Sequence, residues 1–253
     1  MFIDTHCHLS IEDYEDIDQV ILENKKAGID KIIVSACTKE SILESLEYAK
    51  KYDMVYLTIG YHPSEVNNIN KDDINVLKKQ LLEEKVVGIG EIGLDYHYGD
   101  DDKESQKDLF REQLSIAEEL NLPVVIHSRD ATKDTIDILK EYKVRGVIHC
   151  FSGSYETAKE YISMGFYLGI GGVVTFSNSH LGEVIEKVGI DSIVLETDSP
   201  YLAPTPYRGK KNSSKYIPII AEKISSILNI SLEEVSKKTS SNANCLFDLK
   251  NKM

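Results

Sequence analysis

The sequence contains no tryptophan and only six prolines, and its four cysteines, Cys7, Cys37, Cys150 and Cys245, stand far apart. Scattered single cysteines match neither the paired spacing of a zinc knuckle nor a small disulfide framework, so reduced thiols are expected. No Pro/Gly linker or low-complexity stretch divides the chain, and one domain over residues 1–253 is expected. Long apolar runs are missing as well. None approaches the length of a bilayer span, and the chain enters a strand at once without the basic and apolar regions of a secretory signal. A cytoplasmic location with no membrane partner follows as the expectation, and nothing in the chain calls for an obligate protein partner. Basic residues are outnumbered, 29 Lys and Arg against 42 Asp and Glu, for a net charge of -13. An acidic surface repels a polyanion, which argues against a protein that coats nucleic acid. It leaves open local capture of an anion at a site whose bound cations reverse the field.

What is present is periodic. Short apolar stretches with strand character begin at Phe2, Lys31, Val55, Val86, Pro123, Gly146, Phe166 and Ser192. Between them lie amphipathic segments such as Lys103 to Leu120, where Leu109, Phe110, Gln113, Leu114, Ala117 and Leu120 recur at helical spacing. Near-continuous apolar strands alternating with helices indicate parallel pairing with both faces buried, and eight such units can close on themselves. The α/β fold expected is therefore a TIM (β/α)8 barrel, with a doubly wound open sheet as the competing architecture. Two further helices, over residues 215–228 and 231–249, are expected to pack on the barrel.

In barrels of this kind chemistry sits at the C-terminal ends of the strands. The polar residues that interrupt the apolar runs there are His6 and His8 after the first strand, His62 past the third, Glu91 at the end of the fourth, His127 after the fifth, His149 after the sixth and Asp198 after the eighth. In an extended segment His6 and His8 share a face while Cys7 points away. Glu91 and Asp198 break runs that otherwise read as buried core, and an unpaired buried carboxylate needs a cation or strong donors. Four imidazoles and two carboxylates exceed what one tetrahedral ion needs, whereas two ions sharing a carboxylate use all six. The expected partition gives His6, His8 and Asp198 to one ion and His127 and His149 to the other, with Glu91 bridging. Such a pair would acidify water and stabilise charge on an ester or phosphate oxygen, with Asp198 as proton acceptor.

The motifs H-C-H, G-Y-H-P, G-E-I-G-L-D-Y, H-S-R-D-A, H-C-F-S-G and E-T-D-S-P-Y-L together resemble the set that marks the TatD family of metal-dependent hydrolases, from Phe2 to about Phe247. The resemblance implies a barrel of the amidohydrolase-like group, a divalent metal requirement and, for several members, deoxyribonuclease activity on DNA ends. Carried over by position, the family's ligands fall on His6, His8, Glu91, His127, His149 and Asp198. Urease-type relatives bridge their metals with a modified lysine, and here the fourth strand offers Glu91 instead. The ligand set suits Mg2+, Mn2+ or Zn2+. In the terminal pattern T-x-x-N-x-x-R-L-F, Cys245 stands where arginine is expected.

Around these residues several readings stay open. His62 either contacts substrate or caps local backbone, and Arg129 either grips a phosphate with its planar fork or pairs with Asp130 or Asp134. Arg208 and Lys210, in the basic run Arg208 to Asn212, could hold a nucleic-acid end together with Tyr201 and Tyr207. His97, His180 and Asp100 to Asp102 read as structural or solvent-facing. The function expected is a metal-dependent phosphodiesterase trimming DNA from the 3′ end, with hydrolysis of an ester or amide, such as deacylation of an aminoacyl-tRNA, as the alternative.

Overall fold

The computed structural model describes residues 1–97, 99 and 102–249. Asp100 and Asp101 lie outside the described residues. Eight parallel strands follow one another in sequence order around a single sheet: β1 (Phe2–Cys7), β2 (Ile29–Ala36), β3 (Val55–Ile59), β4 (Val86–Asp95), β5 (Val124–Arg129), β6 (Gly146–Ile148), β7 (Phe166–Ile170) and β8 (Ile193–Leu195). The helices between them are α1 (Ile17–Lys26), α2 (Lys39–Lys51), α3 (Lys71–Gln80), α4 (Lys103–Leu120), α5 (Thr132–Leu139), α6 (Tyr155–Ser163) and α7 (Leu181–Val188). Helices α8 (Ile217–Leu228) and α9 (Leu232–Phe247) follow β8.

Local sequence explains where several helices begin. Thr38 and Asn70 each accept an amide from the first turn while the residue three positions on returns a bond to the cap backbone, and Asp16, Ser154 and Ser231 also cap with their side chains. The apolar stripe read over residues 103–120 is found buried on α4. Helix α8 starts two residues later than expected, because the chain first makes a 3-10 turn at Ser214–Tyr216, and α9 starts at Leu232, with Ser231 as its cap.

The ends of the sheet meet, which excludes the open doubly wound alternative. Thr5 Oγ1 donates to the Leu195 carbonyl at 3.0 Å, and the amides of Thr197 and Asp198 donate to the His6 carbonyl at 3.3 and 3.0 Å. Inside the ring each strand contributes one residue to a separate apolar layer: Ile3, Ile33, Tyr56, Val87, Val125, Val147, Tyr167 and Val194. Ala243, Leu246, Phe247 and Leu249 from the end of the chain pack onto that layer. Helix α9 therefore stops the N-terminal mouth, and the polar residues occupy the other mouth. Cys245 points outward and is exposed, so the departure from the family pattern falls on the solvent side of this plug.

Two strands differ from expectation in a way that shapes the site. Strand β4 does not stop at Glu91 but runs on to Asp95, with Gly93 opposite His127. Gly93 has φ 144°, and a Cβ there would stand 2.0 Å from the His127 carbonyl oxygen, so only glycine lets the two strands approach this closely. Strands β6 and β8 are three residues each, which leaves His149 and Asp198 on the turns that follow them.

Replacing Phe247 with alanine should empty the plug and lower the unfolding free energy by about 3–5 kcal/mol, measured by urea denaturation. An unchanged midpoint would mean that α9 does not contribute to closing the barrel.

Candidate metal centre

The six residues singled out by strand position meet around one carboxylate. Glu91, 4% exposed, turns Oε2 toward Nε2 of His6 (3.5 Å) and of His8 (3.7 Å), and Oε1 toward Nδ1 of His127 and Nε2 of His149, both at 2.7 Å. Asp198 Oδ1 closes the first group at 3.4 Å from His6 Nε2 and 3.5 Å from His8 Nε2. Four overlapping groups of three donors, His6/His149/Asp198, His6/His8/Glu91, Glu91/His127/His149 and His62/Asp95/His127, are close enough to hold a divalent ion. His6 Nε2 is fully buried with no hydrogen-bond partner, although it faces two carboxylates. A lone pair aimed at a point shared by anions is what a cation site requires, so the residues fit a metal.

Charge compensation in the protein alone points the same way. Burial works to raise the Glu91 pKa, yet His149, His127 and His6 outweigh it and hold the carboxyl well below its ordinary range. Burial also opposes the imidazolium forms of His8, His127 and His149. Asp198 prevails at His8, Asp95 and Glu91 at His127, and Glu91 at His149, so all three are raised, His127 to about 9. His6, buried and repelled by His149, is lowered to about 4 and stays neutral. The protein thus gathers protons where its carboxylates demand positive charge, and a divalent ion would take their place.

Three of the four imidazoles are held from behind through their other nitrogen. His6 Nδ1 meets Ser35 Oγ at 2.9 Å, His8 Nδ1 meets the Ser35 carbonyl at 3.0 Å, and His127 Nε2 meets Asp95 Oδ2 at 3.2 Å. Backing by an acceptor sets both ring orientation and tautomer. Asp95 was not singled out from sequence, because the fourth strand was taken to end at Glu91. Its place in G-E-I-G-L-D-Y, four residues beyond Glu91 on the same extended strand and so on the same face, was the available signal.

Further residues missed from sequence fix the backbone. Two buried glutamines of α4 each clamp a loop: Gln113 accepts from the Tyr61 amide (2.7 Å) and donates to its carbonyl (3.0 Å), while Gln106 does the same for Asp95 (2.9 and 3.0 Å). Asp4 is fully buried, accepts from the Thr197 hydroxyl (2.6 Å) and amide (3.0 Å), and is pushed up by burial to about 6. Asn212 donates its side-chain amide to the carbonyls of Thr197 (2.7 Å) and Tyr201 (2.6 Å). Those bonds bracket Asp198, whose φ of 54° lies in the left-handed region at a cost of roughly 1–3 kcal/mol.

A cavity of about 820 Å³ opens over the cluster, with His8, His62, Glu91, Asp95, His127, Arg129, His149, Asp198 and Tyr201 in its wall. His62 caps local backbone, as one of its readings expected, and its ring also borders the cavity. Nδ1 accepts from the Ser64 amide at 3.2 Å as a cap, and Nε2 points inward, 3.9 Å from Glu91. Since a backbone amide can only donate, the ring proton sits on Nε2, facing the cavity. Arg129 is exposed on the cavity wall, close enough to Asp95 to help hold that carboxyl below its ordinary range. Asp130 lies 3.2 Å from His97, and Asp134 lies 2.9 Å from both Lys107 and Tyr96. Arg208 and Lys210 are not in that wall. Arg208 lies over the Phe176 ring at 4.0 Å, and Lys210 is 5.8 Å from the Tyr207 ring centre. His97 and His180 are exposed.

The family described as "TatD related DNase" matches residues 3–248. The metal-dependent hydrolase YabD of Bacillus subtilis is 41% identical over 98% of this chain and 99% of its own. The crystal structure of YjjV, a TatD homologue of Escherichia coli, superposes with a TM-score of 0.91 at 31% identity, covering 98% of each chain. A TatD-family hydrolase of Entamoeba histolytica gives 0.87 at 26%, covering 97% of each. Among the described residues no helix is long and apolar enough to cross a membrane.

Affinity for a divalent ion should rise with pH between about 6 and 8, by up to about tenfold per unit for each proton displaced, because His127 must lose its proton to offer Nδ1. Calorimetry in buffers of different ionisation enthalpy would count the protons released. A pH-independent affinity with no release would contradict this account of the charges.

Proposed function

Because this chain belongs to the TatD family of metal-dependent hydrolases, we propose that it is a deoxyribonuclease that removes nucleotides from DNA ends, working from the 3′ end with two divalent ions. The observation that carries the reading is the division of the Glu91 carboxylate, one oxygen toward His6 and His8 and the other toward His127 and His149. In that reading His6, His8 and Asp198 would hold one ion, His127 and His149 would hold the other, and Glu91 would serve both. Mg2+, Mn2+ or Zn2+, when bound, supplies an acidified water and positive charge opposite the transition state's developing negative charge.

The remaining steps belong to the chain itself. Asp198 has its carboxyl held far below the ordinary range, burial being outweighed by bonds to His6 and His8. It is therefore ionised and able to accept the proton of the attacking water at Oδ2, since Oδ1 is the oxygen turned toward His6 and His8. His62 presents Nε2–H to an oxygen of the scissile group; burial lowers it to about 4, so it stays neutral and donates without carrying charge. Arg129 receives a nonbridging phosphate oxygen, and Tyr201, 60% exposed beside the site, offers its ring to a terminal base. A few contacts at one mouth are enough for an end-trimming enzyme, which reconciles an anionic substrate with an acidic surface.

The test is end-labelled single-stranded DNA incubated with purified protein and each metal in turn. Glu91→Ala should lower turnover at least about a hundredfold while the circular dichroism spectrum is kept. Retained activity would remove the bridging role. Arg129→Ala should raise KM for DNA about tenfold or more and leave hydrolysis of a small carboxyl ester nearly unchanged. Turnover of carboxyl or aminoacyl esters without any cleavage of DNA would replace the nuclease reading with the deacylase one.

A further inference from the structure

Glu196 follows β8 directly and is fully buried, yet the metal reading gives it no task. Its Oε1 accepts the Cys150 amide at 2.5 Å and lies 3.8 Å from Nδ1 of His149. Two atoms here are buried without a partner, Oε2 of Glu196 and Nδ1 of His149. The surroundings are shaped to admit this carboxylate. A Cβ at Gly169 of β7 would stand 2.1 Å from Oε2, and Cys150 adopts φ 47° in the turn that presents its amide.

The four imidazoles share one pattern. Each turns one nitrogen toward Glu91, and for His6, His8 and His127 the other nitrogen meets Ser35 Oγ, the Ser35 carbonyl and Asp95 at 2.9, 3.0 and 3.2 Å. His149 alone lacks such a contact, and Glu196 stands where it would come from. A neutral imidazole has one N–H and one lone pair, so Nε2 can ligate only if the proton resides on Nδ1, which then needs an acceptor.

We propose that Glu196 is a positioning residue for the second ion: its Oε1 accepts the Nδ1 proton of His149 and so directs the Nε2 lone pair at the point shared with His127 and Glu91. This rests on the two-ion reading above. On it, the imidazoles of the two positions differ in their backing. Those of the first lean on a hydroxyl and a backbone carbonyl, and those of the second lean on two carboxylates, Asp95 and Glu196. Loss of Glu196 therefore weakens one position selectively.

Cobalt(II) titration of the wild-type protein, Glu196→Gln and Glu196→Leu, followed by visible absorption and calorimetry, tests this. Two binding steps are expected in the wild type. In Glu196→Leu one step should weaken ten- to a hundredfold while the other stays within about twofold, with Glu196→Gln between, since an amide oxygen still accepts. Two unchanged steps, or equal weakening of both together with a lower melting temperature of the metal-free protein, would overturn the proposal. Should the leucine variant not fold, the zinc-loaded wild type still decides: ¹H–¹⁵N correlation must place the His149 proton on Nδ1, and a proton on Nε2 refutes the role. A wild-type protein that binds no divalent ion at all would bring down the two-ion reading itself, a result distinguishable from failure of Glu196 alone.

Discussion

A carboxylate removed from water must be matched by positive charge, and Glu91 is almost wholly removed. Among the described residues its compensation comes from imidazoles on both sides. That requirement organises the C-terminal mouth of the barrel. It draws strands β1, β5 and β6 and the turn after β8 toward β4, and it makes the cluster a receptor for cations, since protons on three imidazoles are the weaker substitute for metal charge.

The rest of the architecture serves to hold those donors still. Each imidazole approached from the centre is pinned from outside, at Ser35, at Asp95 or, on our inference, at Glu196. The loops that bear them are tied in turn, Tyr61 by Gln113, Asp95 by Gln106, and the Asp198 turn by Asp4 and Asn212. The shared logic of these ties is that a buried polar side chain with every bond satisfied has one geometry, so it transmits rigidity from the packed helices to the ligand atoms. At the opposite mouth α9 supplies the apolar seal, leaving a single open end for substrate.

Strand position selected His6, His8, Glu91, His127, His149 and Asp198, and the fold brings all six to one place. They were legible because a histidine or carboxylate interrupting a buried apolar run is conspicuous. Asp95 and Glu196 were not legible by the same rule. Asp95 lay beyond the presumed end of its strand, and Glu196 stood beside Asp198, which already accounted for the polar end of its segment. The Arg208 to Asn212 run lies outside the cavity wall. Its charges and its place after the eighth strand suggested substrate contact; in the structure Arg208 stacks on Phe176, Lys211 reaches the Asp13 carbonyl, and the uncharged Asn212 makes the structural bonds.

Sequence alone determined the eightfold alternation of strand and helix, the mouth that carries chemistry and the six candidate donors, because periodicity and the cost of burying charge are local properties of a chain. Tertiary structure decided which oxygen of Glu91 faces which pair of imidazoles, which nitrogen of each ring points inward, and which distant groups stand behind them. Those choices depend on register, on the reach of β4 past Glu91 and on the close approach at Gly93, all of which arise only when the strands pack against one another.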